Sequence, residues 1–68
     1  MIFEIRFKIK ELRKECGLTQ KQLAKLVHKS ETAVASWEQG LSEPCVNDIR
    51  KLCEIFKVSA DYLLGLEN

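Results

Sequence analysis

Hydrophobic side chains near the start of the chain recur with the period of an α-helix. They stand at spacings of four, three and four residues: Ile5, Ile9, Leu12 and Cys16. Such spacing places apolar side chains on one face of a helix. Gly17 follows directly, where a helix end favours glycine because its backbone accepts a positive φ. The pattern therefore predicts a first helix that buries this face and ends at Gly17.

The same stretch also carries a pattern that is typical of a strand. Over residues 3–9, apolar and charged residues alternate, and a strand places alternate side chains on opposite faces. Leu12 and Cys16 continue only the helical period. We therefore predict helix from about Glu4, with a short extended arm over residues 1–4 as the alternative.

The next segment opens with the signals of a helix N-terminus. Thr19 is a favoured N-cap residue, and Gln22 three positions later completes a capping box. Leu18 before the cap and Leu23 four positions after it form a hydrophobic staple. The sequence therefore predicts a short second helix that begins at Thr19 and ends near His28.

A third helix follows after a connection of about three residues, 28–30. Ser30 is its N-cap, and the helix extends to about Gln39. Val34 and Trp37 face the core, because they lie three residues apart on one side. The other positions are small or polar: Glu31, Thr32, Ala35, Ser36 and Gln39. Two short helices of this kind form a helix-turn-helix, whose second helix enters the DNA major groove.

Two more helices are predicted after a loop at residues 41–44. A fourth helix covers about Val46 to Lys57. Its apolar face consists of Ile49, Leu52, Cys53 and Phe56. Ser59 caps a last turn and a half that ends at Gly65. The predicted fold class is therefore all-α.

Length and composition narrow the class of protein. A chain of 68 residues builds one domain, and 46% hydrophobic with 31% charged residues is typical of a globular protein. No apolar run reaches the roughly 20 residues that a membrane span requires, and the charged N-terminus does not resemble a signal peptide. We expect no membrane association.

The sequence contains no recognisable set of catalytic or metal-binding residues. Three cysteines at wide spacing indicate free thiols in a reducing cytoplasm. His28 is the only histidine and there is no Cys-x-x-Cys, so we expect no metal and no cofactor. There is also no phosphate loop, catalytic triad or pair of carboxylates flanking a cleft, and we do not expect an enzyme.

Charge is distributed unevenly along the chain. Residues 1–29 carry eight Lys/Arg and three Glu, a net charge of +5, whereas residues 30–68 carry three Lys/Arg and seven Asp/Glu, a net charge of −4. A basic end can orient a protein toward a polyanion such as DNA. The alternative is two solvated faces that partly pair with each other.

Several short motifs occur in a fixed order. They are Leu18-Thr19-Gln20-x-x-Leu23-Ala24, Ser30-x-x-x-Val34-x-x-Trp37-Glu38-x-Gly40, Pro44, and Val58-Ser59-x-Asp61-Tyr62-Leu63-Leu64-Gly65. Over about residues 5–65 they resemble the phage-repressor and Cro-like helix-turn-helix family of the xenobiotic-response-element type. The resemblance implies a compact five-helix, lambda-repressor-like DNA-binding domain over residues 1–68, with the helix-turn-helix at about 19–39. It also implies a cytoplasmic transcriptional regulator, a repressor, that binds a palindromic operator in double-stranded DNA as a homodimer.

The resemblance also implies roles for individual residues. The residues expected to read base edges lie on the third helix: Glu31, Thr32, Ala35 and Ser36. Phosphate contacts are expected from Gln20, Gln39 and Ser42, and Lys21 and Lys29 add positive charge if the turn faces the DNA backbone. Arg13 and Glu38 are expected to form a structural ion pair between the first and third helices. The dimer contact is expected around Leu41–Val46 and the C-terminal turn.

Some positions depart from the family pattern. Leu41 follows Gly40 where a basic residue is common, Ser36 replaces a longer side chain, and Glu31 adds a negative charge to the third helix. These changes motivate an alternative function, a protein-interaction module with weak or no DNA binding and an unidentified protein partner. His28 and Lys57 occupy positions where glycine is common, so we expect left-handed backbone there or a different helix end.

Phe3 and Phe7 lie off the apolar stripe of the first helix. They form either a second apolar patch for a partner or part of an N-terminal arm.

Overall fold

Five helices make up the part of the chain that the structure, a computed structural model, describes, which is residues 5–66. They are α1 (Ile5–Glu15), α2 (Gln20–Leu26), α3 (Glu31–Gln39), α4 (Val46–Phe56) and α5 (Ala60–Leu63). No strand occurs within these residues. The five-helix, all-α prediction is confirmed. The predictions for Phe3, for a helix start at Glu4 and for an arm over residues 1–4 fall outside the described residues.

The predicted helix starts are confirmed by their capping hydrogen bonds. The Thr19 hydroxyl accepts from the Gln22 backbone N–H at 3.0 Å, and the Gln22 side-chain oxygen accepts from the Thr19 N–H at 2.8 Å. Ser30 accepts from Ala33 N–H at 3.1 Å at the start of α3. Each bond satisfies an N–H group that has no partner inside the helix. The caps therefore fix where the helix-turn-helix begins and turns.

Two helices end in left-handed backbone without glycine. His28 has φ 59° and Lys57 has φ 57°, which is the first of the two arrangements expected at these positions. The left-handed region costs a side-chain-bearing residue roughly 1–2 kcal/mol. The turn between α2 and α3 therefore contains an unfavourable backbone conformation at His28, whose cost the surrounding packing offsets.

The core lies where α1 meets α3, α4 and α5, and where α2 packs on α3. Its fully buried side chains include Ile9, Leu23, Val27, Val34, Leu52 and Leu63. Trp37 is 4% exposed and belongs to the core, as predicted. Across residues 5–66, none of the helices combines the length and the apolar character that crossing a membrane requires.

One predicted core position is wrong. Ile5, Ile9 and Leu12 are buried, but Cys16 is exposed. The helix ends at Glu15, so Cys16 lies beyond the last residue of α1, at the end of the apolar stripe. The helical period gives the direction of a side chain but not the length of the neighbouring elements.

Candidate nucleic-acid interface

The outer side of α3 is the surface on which the predicted base-reading residues lie. Val34 and Trp37 point inward, with exposed fractions of 0% and 4%. Glu31 and Thr32 are exposed, and Ala35 and Ser36 are half-buried. Because positions three and four apart share a helix face, the four predicted residues form one surface of small or polar side chains.

Ser36 is bonded to the loop that follows α3. Its hydroxyl oxygen lies 2.7 Å from that of Ser42, and either one can donate the hydrogen bond. The structure thus brings a predicted base-reading residue together with a predicted phosphate-binding residue. The bond holds the loop against the C-terminal half of α3.

Glu38 is the centre of a hydrogen-bond network beneath this surface. Its carboxylate accepts from Arg13 Nε at 2.7 Å and from Arg13 Nη2 at 3.1 Å. The Arg13 and Glu38 side chains are only 11% and 3% exposed. Arg13 Nη1 also donates to the Leu18 carbonyl at 2.8 Å. This bidentate pair therefore ties α1 and the start of the helix-turn-helix to α3, which is the structural role that the resemblance implies for it.

Gln20 belongs to the same network. Its Nε2 donates to Glu38 Oε1 at 3.0 Å, and the residue is half-buried at the first position of α2. An amide nitrogen carries two hydrogens, so one remains for a phosphate oxygen near the helix N-terminus. Glu38 therefore orients the side chain that is predicted to bind phosphate.

Lys29 has a partner that its predicted phosphate role does not anticipate. Its ammonium lies 3.5 Å from Asp48 Oδ1, while Asp48 Oδ2 accepts from the Cys45 N–H at 3.1 Å. Burial raises the pKa of Asp48, but the hydrogen bonds from Cys45 and the Lys29 charge outweigh burial and hold this pKa below its ordinary value of 3.8. Lys29 thus joins the turn to the start of α4. Lys21 and Gln39 are exposed.

The C-terminal end of α3 is covered by a side chain from α1. Gly40 has φ 78°, and a Cβ added there would lie 2.5 Å from Arg6 Nη1 and 3.0 Å from Arg6 Cδ. The guanidinium carbon lies 4.6 Å from the centre of the Phe7 ring. Phe7 is 59% exposed, so it is not packed inside the domain. The absence of a side chain at Gly40 is what allows Arg6 to approach so closely.

The thiols and carboxylates do not assemble into a metal site in the described part of the chain. No group of three or more His, Cys, Asp or Glu residues within residues 5–66 lies close enough to hold an ion. Cys16 and Cys45 are exposed, and burial raises the pKa of the half-buried Cys53 thiol. The chemistry that this surface offers is hydrogen bonding and charge.

Residues 9–63 match the family model described as helix-turn-helix. The chain belongs to the helix-turn-helix family. The match contains α2, α3 and the whole Arg13–Glu38–Gln20 network described above.

Curated relatives of this helix-turn-helix chain are transcriptional regulators by name. It is 36% identical over 64 residues to the HTH-type transcriptional activator BcrR of Enterococcus faecalis, which covers 94% of this chain and 31% of BcrR. It is 33% identical over 58 residues to the HTH-type transcriptional regulator ImmR of Bacillus subtilis (strain 168), which covers 85% of this chain and 46% of ImmR. The chain thus spans less than half the length of both relatives.

Among solved structures, the helix-turn-helix chain is similar to the P22 c2 repressor, crystallised in complex with a synthetic operator. The TM-score is 0.86 and the identity is 30%, and the likeness covers 93% of this chain and 96% of that one. The likeness thus extends over nearly the full length of both chains.

Sequence reasoning missed three contacts of this helix-turn-helix domain: Ser36 with Ser42, Lys29 with Asp48, and Arg6 with Gly40. A signal existed for Arg6. It lies seven residues, or two helical turns, before Arg13, so both arginines share the face of α1 that meets α3. No local pattern indicates the other two contacts.

Proposed function

We propose that this domain binds double-stranded DNA sequence-specifically, with α3 in the major groove, and acts as a transcriptional repressor. The observation that carries the proposal is the outer side of α3, where four small or polar residues are accessible while Val34 and Trp37 anchor the helix from below. The similarity to the P22 c2 repressor, which was crystallised with an operator, supports it.

The side chains on this surface suit base recognition. Thr32 and Ser36 can each donate to or accept from base edges, Glu31 can accept from a cytosine amino group, and the Ala35 methyl can contact thymine. Because Thr32, Ala35 and Ser36 have short side chains, the backbone of α3 can approach the groove floor closely. We expect Glu31 to favour cytosine opposite the N-terminal end of the helix.

Phosphate binding at the start of α2 would fix the orientation of α3. A helix N-terminus combines unpaired N–H groups with the positive end of the helix dipole. Gln20 stands at that terminus and is oriented by Glu38. We therefore assign Gln20 to a phosphate, together with Lys21, Gln39 and Ser42, and we keep Lys29 as a weaker candidate because Asp48 competes for its ammonium.

Selection of bound sites from a random duplex pool, followed by fluorescence anisotropy titrations, tests this function. Thr32→Ala and Ser36→Ala should change the preferred bases, whereas Gln20→Ala should weaken all sequences alike. Cys16→Ala is a control, because Cys16 is exposed at the end of α1, outside the proposed interface. No binding by the unmodified chain at micromolar concentration and low salt would contradict the proposal and favour the protein-interaction module instead.

We further propose that the domain binds as a homodimer. A single small module buries limited DNA surface, and two half-sites about 34 Å apart would be read by two copies. Leu41 and Val46 are each 75% exposed, and they bracket the loop that joins α3 to α4. Burying them against a second copy would remove this apolar surface from water.

Analytical ultracentrifugation of matched variants tests the dimer. Leu41→Ser and Val46→Ser should shift the protein to monomer, whereas Leu26→Ser, at a residue that is 50% exposed on α2, should not. Equal behaviour of all three variants would contradict this interface.

A transcriptional repressor acts where the DNA is, so the proposal includes a cytoplasmic location. The proposed function requires no catalytic activity.

A further inference from the structure

The third helix and the loop after it contribute no positive charge to the proposed DNA-binding surface. Residues 30–49, which include α3 and the loop after it, contain no Lys or Arg and four acidic residues. The last turn of α3 carries no basic residue either. Phosphate attraction supplies most of the non-specific affinity for DNA, so a cation from elsewhere in the fold would have to serve this end of the interface.

Arg6 is that cation. Its guanidinium lies over Gly40, at the junction between α3 and the loop. Gly40 stands between Gln39 and the loop residue Ser42, both of them proposed phosphate contacts. The negative end of the α3 dipole also lies there and favours a positive charge. The fold thus places a positive charge from α1 at the C-terminal end of α3.

The guanidinium has capacity left for a ligand. Among residues 5–66 Arg6 forms no ion pair, in contrast with Arg13, which is paired with Glu38. Arg6 is half-buried, and its guanidinium carbon is held 4.6 Å from the Phe7 ring centre. A guanidinium offers five N–H donors in a planar fork that matches two phosphate oxygens. Packing against Gly40 and Phe7 limits the side-chain freedom that binding would remove.

We propose that Arg6 binds a DNA phosphate beside Gly40 and Ser42, and so supplies the positive charge that α3 and its loop lack. This inference rests on the proposed DNA binding through α3. It makes Arg6 a phosphate contact and not a base-reading residue, so its removal weakens binding to every sequence. If Arg6 instead only caps α3, its removal changes stability and leaves the salt dependence of DNA binding unchanged.

The salt dependence of binding to a random duplex of about 20 base pairs tests the proposal. Each phosphate contact contributes about 0.9 to the slope of log K against log salt concentration. Arg6→Gln and Arg6→Met should each reduce the slope by about 0.9 per bound protomer, so a rise from 50 to 200 mM salt weakens them about 3.5-fold less than the unmodified chain. Arg6→Lys should keep the slope, because the charge remains. Arg6→Met also retains the apolar packing over Phe7.

Arg50→Gln is the matched control, since Arg50 is an exposed arginine on α4 and the charge change is identical. An unchanged slope in both neutral Arg6 variants overturns the proposal, and so does an equal reduction in Arg50→Gln, which would indicate a general effect of net charge. If the unmodified chain binds with a clear salt dependence but the Arg6 variants do not reduce the slope as expected, the proposed DNA binding stands without Arg6. If the unmodified chain does not bind, both proposals fall. Thermal unfolding of each variant verifies that the proteins compared are folded.

Discussion

Replacing Glu38 by alanine should strongly destabilise the domain. The substitution removes the carboxylate that accepts two hydrogen bonds from Arg13 and one from Gln20. The Arg13 side chain is 11% exposed, so its charge has little access to water once the partner is gone. Its remaining bond, to the Leu18 carbonyl, does not neutralise it.

The expected loss follows from the burial of this pair. Removing one partner of a buried ion pair costs about 3–5 kcal/mol. A chain of this length is stable by roughly 3–10 kcal/mol, at about 0.05–0.15 kcal/mol per residue. Glu38→Ala should therefore remove at least about a third of the free energy of unfolding. Glu11→Ala removes an exposed carboxylate that lies 3.9 Å from the Lys8 ammonium, and it should cost less than about 0.5 kcal/mol.

Urea unfolding monitored by tryptophan fluorescence measures both values. Trp37 is the only tryptophan and is 4% exposed, so its emission reports exposure of the core. The double variant Arg13→Met with Glu38→Leu should be more stable than Glu38→Ala, because no unpaired charge remains buried. A loss below about 1 kcal/mol for Glu38→Ala, similar to that of an exposed pair, would refute the reasoning.

Three further predictions follow from backbone conformation and charge. Gly17→Ala should lower the free energy of unfolding by about 1–2 kcal/mol, the cost of left-handed backbone alone, because nothing lies within 4 Å of the added Cβ. Gly40→Ala should lower it more, because the added Cβ would lie 2.5 Å from Arg6 Nη1. Equal losses of the two variants in chemical denaturation would contradict this. Lys57→Gly should stabilise the domain by up to about 1 kcal/mol by relieving the same strain, and a lower melting temperature would count against it. The folded state lowers the pKa of Asp48, so the unfolded chain takes up the proton first as pH falls, and the stabilisation is lost from about pH 4 downward. The difference in free energy of unfolding between the unmodified chain and Asp48→Asn should therefore shrink as the pH falls below about 4. A difference that does not change with pH would refute this prediction.

The ends of the helices were predictable from single residues. Thr19 and Ser30 begin helices because their hydroxyls satisfy orphan N–H groups, and Gly40 ends α3 with a positive φ. These signals act over three or four residues, so they are visible in the sequence. The spacing of Val34 and Trp37 likewise predicts that both are buried, as they are.

The contacts that shape the candidate site were not predictable in this way. Lys29 and Asp48 lie 19 residues apart in the chain, and no local pattern selects one partner for a lysine among several carboxylates. Cys16 shows the related limit, because the helical period predicts it to be buried and yet it is exposed just after α1 ends. Such features depend on how helices are placed in three dimensions, which spacing along one helix does not determine.

The hydrogen bond between the Ser36 and Ser42 hydroxyls can form with either hydroxyl as the donor. When Ser42 donates, the Ser36 hydrogen is released toward the groove, and when Ser36 donates, only its lone pairs face outward. Base edges in the major groove offer both kinds of partner, so one rotation of two hydroxyls can satisfy either. In the proposed complex, Ser36 should therefore be able to meet a donor or an acceptor on a base edge, whereas Glu31, whose carboxylate can only accept, should meet donors alone.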